Sequence, residues 1–160
     1  MTCVLTSAGG IISLLDEKEP ELQIYALQRL NDDSVIRQFW AEIADFIESR
    51  IVIAHNAAFD ISVLRHAAAH TNYSPPSIQF ACSYRMAKDT WPGRWSYRLN
   101  DLAADLQVDL DHHNAQSDAN AAAAITMSLL EHPSTTSVIE MAEALGYRIG
   151  ESHPDGYQGF

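Results

Sequence analysis

Asp60 ends the stretch His55-Asn56-Ala57-Ala58-Phe59-Asp60, a few residues beyond the β-branched run Ile51-Val52-Ile53-Ala54. Asp118 ends a second stretch, His113-Asn114-Ala115-Gln116-Ser117-Asp118, five residues after its histidine. A histidine at the mouth of a helix and a carboxylate about one turn inside it lie toward the same cleft. Two carboxylates converging there would hold a hard cation such as Mg²⁺ or Mn²⁺, which prefers oxygen ligands. Two such ions are what phosphodiester hydrolysis uses to activate water and to steady the departing oxygen. A neutral imidazole beside that water would take its proton. Each residue also has an ordinary reading: an aspartate near a helix start is a common cap, and His113 or Asn114 could cap the Ala-rich stretch that follows. Only the combination points to metal-assisted hydrolysis.

The elements that must position these groups follow from periodicity. Ile51–Ala54 and Ile78–Cys82 are short apolar runs that suit buried strands of a parallel sheet. Helices are expected from Ile61 onward, over Ser83–Asp89, over Leu99–Leu106 and over Ala115–Leu130. This strand, helix, strand, helix order predicts an α/β fold, with ligands beyond the C-terminal ends of the strands. The first fifty residues read as helices only. Ile11, Ile12, Leu14 and Leu15 form one apolar face, Leu22, Tyr25, Ala26 and Leu30 a second, and Val35 to Ile47 a third, strongly amphipathic one. Three segments result: a helical segment over 1–50, a core over 51–132, and a tail over 133–160 with one short helix at Val138–Leu145 and an irregular end from Gly146.

Composition sets the outer limits. The 160 residues are 47% hydrophobic and 19% charged, the profile of one globular domain. The longest apolar runs fall far short of the ~20 residues of a membrane helix. Two cysteines, Cys3 and Cys82, are too few for a disulfide framework. The expectation is a soluble, cytoplasmic chain with no membrane partner. The net charge of −11 argues against a nonspecific polyanion coat. Within that acidic chain, however, Arg85, Lys88, Arg94 and Arg98 are four of the five basic residues in 51–132. They suit either a nucleic-acid backbone or a solvated helix face.

Two motifs resemble a known family. Ile51–Arg65, IVIAHNAAFDISVLR, is similar to the second motif of the DEDDh group of 3′–5′ exonucleases, which includes the proofreading epsilon subunit of bacterial DNA polymerase III. HHNAQSDANAAA (112–123) is similar to the third motif. CSYRMAKDTWPGRWSYRLNDLAADL (82–106) and AEALGYRIGESHPDGY (142–157) resemble the helices between the motifs and the tail of bacterial members. The resemblance implies a ribonuclease H-like fold over 51–160, with Asp60 and Asp118 as ligands of Mg²⁺ or Mn²⁺ and His113 as general base. It further implies Asn56 and Phe59 beside a 3′-terminal nucleotide, Arg85 and Arg98 along the substrate backbone, and single-stranded or 3′-end nucleic acid as the partner.

One motif is missing. The family carries an Asp-x-Glu pair on its first strand, and no aspartate here stands two residues before a glutamate. The nearest substitutes are Asp16, Glu17 and Glu19. Two aspartates in place of four carboxylates leave divalent charge uncompensated, and each 1.36 kcal/mol of lost transition-state stabilisation is roughly tenfold in rate. Weak or absent hydrolysis is therefore expected, with a non-catalytic nucleic-acid or protein binding module as the alternative. Residues 3–49 instead resemble the N-terminus of the largest non-ATPase base subunit of the 26S proteasome regulatory particle, which implies a helical interaction segment. The expected architecture is a truncated exonuclease domain behind an all-helical N-terminal segment. Its sheet would have an open edge, to be covered by those helices, by a homodimer or by a partner chain.

Overall fold

The computed structural model describes residues 2–5, 10–14, 24–26, 44, 47, 50–70, 73–111, 115–131 and 135–160, with the backbone alone described over 2–26. The elements in chain order are β1 (Thr2–Leu5), β2 (Gly10–Leu14), β3 (Ile24–Ala26), β4 (Ile51–Ala54), α1 (Ala57–His70), β5 (Ile78–Cys82), α2 (Ser83–Thr90), α3 (Leu99–Asp105), α4 (Ala115–Leu130), α5 (Val138–Ala144), β6 (Gly150–His153) and β7 (Gly156–Gln158). The strands form one sheet in the order β3-β2-β1-β4-β5-β6-β7. β4 runs parallel to both β1 and β5, while the outer strands pair antiparallel.

β4 and β5 are buried on both faces, which is why they read as unbroken apolar runs. Their side chains still alternate. Val52, Ala54, Ile78, Phe80 and Cys82 pack against Ala57, Ile61, Leu64 and Ala68 of α1. Ile53 and Ala81 face the other way, into a cluster with Met86, Leu102, Ala122, Ile125 and Leu129. The small residues of α4 let that helix lie across β1, β2 and β4. This is the expected α/β fold with helices on both faces. No helix among the described residues is long and apolar enough to cross a membrane.

The N-terminal segment departs from its helical reading: residues 2–5, 10–14 and 24–26 are strands. Apolar runs of four or five residues fit either period, and the deciding partner lies far away in the sequence. β1 pairs with β4 from Thr2↔Ile51 to Leu5↔Ala54, so the edge expected to be open is filled from within the chain. β2 and β3 then extend the sheet antiparallel. Helical structure does occur at Ala44 and at the buried Ile47, inside the third expected helix. Asp16, Glu17 and Glu19 lie outside the described residues.

The tail differs as well. Residues from Gly150, expected to be irregular, form the β6–β7 hairpin, closed by a two-residue loop at Pro154-Asp155. Arg65 of α1 holds it by donating from Nη1 to Ser152 Oγ and to the carbonyls of His153 and Gly156 at 2.8–3.1 Å. Gly150 lies on the ring of the fully buried Phe80, where an added Cβ would sit 2.5 Å from Cζ. Phe80 is itself held between Tyr157 and Phe160. Gly150→Ala is therefore expected to overpack this site and lower unfolding stability by about 1–3 kcal/mol. Urea denaturation measures the loss. A change within about 0.5 kcal/mol, the range of an ordinary surface substitution, would show that the ring has room to move.

Candidate functional site

The turn leaving β4 sets the site. Asn56 adopts φ +82°, a left-handed conformation that asparagine tolerates better than most residues. The Phe59 amide donates to the Asn56 carbonyl at 2.9 Å, and α1 starts at once. Asp60 falls in the first turn of that helix, behind the end of the strand. It is only 2% exposed, and neither carboxylate oxygen meets a hydrogen-bond donor elsewhere among the described residues. Burial pushes its carboxyl from 3.8 up to about 7, against a smaller opposing effect of its own backbone N–H. A buried carboxylate with no partner must take up a proton or a cation. Phe59 next to it is exposed.

That orphaned carboxylate fits a hard cation as one anionic ligand. A larger donor set is not assembled: no group of three or more His, Cys, Asp or Glu side chains suited to a metal occurs among the described residues. Asp118 is half-buried in the first turn of α4, and α4 lies on the opposite face of the sheet from α1. The two carboxylates therefore belong to opposite layers of the sheet. His113 lies outside the described residues. β1, the parallel neighbour of β4, is Thr2-Cys3-Val4-Leu5 and carries no acid.

His55, which sequence reasoning left without a role, is the hub of the polar contacts here. Its Nε2 donates to the Tyr97 carbonyl at 2.8 Å, which leaves Nδ1 to accept from Ser83 Oγ at 3.0 Å. Burial lowers its pKa, so the ring is neutral near pH 7. One residue thus ties the end of β4 to the start of α2 and to the loop before α3. His55, Asn56, Tyr84, Arg98 and Leu99 line a cleft of about 480 Å³. The sequence did hold a signal for its walls, because Ser-Tyr-Arg occurs twice, at 83–85 and 96–98.

The basic cluster is divided. Arg98 faces the cleft. Arg85 instead donates to the Phe160 carbonyl at 2.8 Å, lies over the Tyr147 ring and approaches Asp89. Arg94 pairs with Asp105. The structure brings Asn56 and Arg98 together and directs Arg85 elsewhere.

Comparison with known proteins divides the chain between two kinds of relative. Residues 6–70 match the family described as 26S proteasome subunit RPN2, N-terminal domain. The 26S proteasome non-ATPase regulatory subunit 1 of Drosophila melanogaster is 37% identical over 83 residues, 51% of this chain and 8% of that protein. DNA polymerase III subunit epsilon of Treponema pallidum is 25% identical over 114 residues, 66% of this chain and 53% of that protein. Among solved structures, Exonuclease X in complex with 5′ overhanging duplex DNA superposes with a TM-score of 0.58 at 18% identity, covering 91% of this chain and all of that one. The fold is thus that of a ribonuclease H-like exonuclease. The chain thus resembles both the exonucleases and the proteasome subunit, and it spans about half or less of the length of these curated relatives.

Asp60 makes a pH-dependent contribution to stability. Its folded pKa of about 7 lies above its unfolded value of 3.8, so the folded state holds the extra proton between them. Stability therefore falls as pH rises from about 4 to about 7 and levels off above. In EDTA, the wild type is expected to lose roughly 2–3 kcal/mol from this carboxyl between pH 5 and pH 8. Asp60→Asn lacks that loss. His55 acts with the opposite sign in both proteins, because its depressed pKa costs stability as pH falls below its unfolded value. Urea denaturation at the two pH values gives the difference, and equal pH dependence in both proteins would rule out the burial argument.

Proposed function

We propose that this chain is a 3′–5′ exonuclease-like domain that engages the 3′ end of single-stranded nucleic acid and hydrolyses it weakly with the help of a divalent cation. The observation that carries this reading is the buried, unpartnered carboxylate of Asp60 at the C-terminal end of β4, the place where open α/β sheets bind ligands. Asp60 would hold Mg²⁺ or Mn²⁺, with Asp118 as the second carboxylate, and His113 would accept a proton from the attacking water. When bound, such an ion lowers the pKa of water and offsets charge on the phosphate oxygens. Asn56, Phe59 and Arg98 would contact the terminal nucleotide and its backbone. Arg85, directed at Phe160, has a smaller share in this reading.

Weakness follows from β1. A strand of Thr2-Cys3-Val4-Leu5 supplies neither member of an Asp-x-Glu pair, so the cation charge is met by fewer anionic ligands than in the exonucleases the chain resembles. A second reading, a protein-interaction segment at the N-terminus, is favoured by the match of residues 6–70 to the proteasome subunit family.

The test is a single-turnover assay with protein in excess over a 5′-labelled single-stranded oligonucleotide. Slow shortening from the 3′ end is expected with Mn²⁺ and none with EDTA. Asp60→Asn, Asp118→Asn and His113→Ala are each expected to slow it at least about tenfold, the effect of one 1.36 kcal/mol step in the barrier. Absence of metal-dependent shortening would overturn hydrolysis as a function of this chain.

A further inference from the structure

We infer that the cleft between the end of β4 and the start of α3 is a subsite for one unpaired nucleotide, its base stacked on Tyr84 and its phosphate held by Arg98. The inference rests on the nucleic-acid reading above and deepens it, because it names a unit of the strand and the groups that receive it.

The first support is geometric. The Tyr84 ring is braced on two sides, by His55 with centroids 5.8 Å apart at 78° and by Tyr97 at 6.2 Å and 74°. It still remains 40% exposed at the cleft wall. A ring fixed edge-to-face by its neighbours, with accessible surface left over, is a preorganised stacking platform. A volume of about 480 Å³ lies in the range of small-ligand pockets, so it suits a single nucleotide. Base–aromatic stacking tolerates any base but requires an unstacked one, which favours single strands over duplex.

The second support is electrostatic. Arg65, Arg85 and Arg94 are each committed to partners within the chain. The Arg98 guanidinium has no hydrogen bond or ion pair among the described residues, although it lines the cleft of an acidic protein. Its backbone is nevertheless well fixed: the Arg98 amide donates to Ser96 Oγ at 3.3 Å, and its carbonyl accepts from the amides of Asp101 and Leu102 at 3.1 and 3.0 Å. A cation placed by its backbone and left without an internal anion suits a phosphate. His55 acts as a positioning residue, since its hydrogen bond to the Tyr97 carbonyl fixes the residue directly before Arg98.

The test is binding of a 5′-fluorescein-labelled single-stranded oligo(dT) to the full chain in EDTA, followed by fluorescence anisotropy. Tyr84→Ala is expected to weaken binding by roughly 5- to 100-fold, the usual effect of losing one stacked base, whereas Tyr84→Phe keeps the ring and the affinity. Arg98→Ala is expected to weaken binding and to reduce the slope of log affinity against log salt by about 0.7, the value of one phosphate contact on a single strand. His55→Ala should reduce the salt slope by part of that amount, and should reduce it no further once Arg98 is absent. Arg98→Glu, at an exposed position that does not threaten folding, should abolish binding. Affinities within twofold of wild type for Tyr84→Ala and Arg98→Glu would overturn the proposal, as would equal affinity for blunt duplex or no binding by the wild type. Metal-free binding with no shortening in Mn²⁺ would instead remove only the hydrolytic reading and leave this one standing.

Discussion

The parallel alignment of β4 with β1 and β5 is the constraint from which the rest of the molecule follows. A strand with parallel neighbours on both sides needs crossover connections, and the one through α1 covers one face of the sheet, while the helices between β5 and β6 cover the other. Ile53 and Ala81 are covered by one layer, Val52, Ala54 and Phe80 by the other. All three strands then end at the same rim. The chain must turn there, and the groups on those turns, His55 and Asn56 after β4 and Ser83 and Tyr84 after β5, are brought within reach of one another without any local sequence signal tying them.

That rim contains two opposed solutions to burying a polar group. His55 satisfies both ring nitrogens through Tyr97 and Ser83, and it is neutral because burial disfavours its charged form. Asp60 satisfies neither oxygen outside its own backbone among the described residues. The first arrangement is structural bracing. The second leaves an unmet demand for positive charge, which is how a protein interior prepares a place for a proton or a cation. Arg98 presents the complementary case at the cleft, a positive group without an anionic partner among the described residues.

The match to the proteasome subunit family and the resemblance to exonucleases share one sheet: the family match over residues 6–70 takes in β2, β3, β4 and α1. The exonuclease-like core presents a strand edge with unpaired amides and carbonyls, and a neighbouring Thr2–Leu5 run meets that demand whatever its ancestry. Backbone pairing is indifferent to side-chain identity, so β1 completes its ladder with β4 although it carries no acid.

Much of the core was legible in the letters. The runs Ile51–Ala54 and Ile78–Cys82, the helices after them and the position of Asp60 just past a strand end all follow from local apolar pattern and turn chemistry, because each is decided by residues close in sequence. The strands of residues 2–26 and the hairpin of 150–158 were not legible. Short runs such as Gly10–Leu14 fit either period, and Gly150 looks like loop material until the Phe80 ring is seen lying against it. The burial of Asp60, the bracing role of His55 and the division of the arginines depend on which side chains meet across 28 to 75 residues of sequence. Sequence by itself determined the α/β class, the core strands and the acids available. Tertiary structure decided which of those acids loses its water and which arginine faces the cleft, since desolvation and placement depend on neighbours that only the fold supplies.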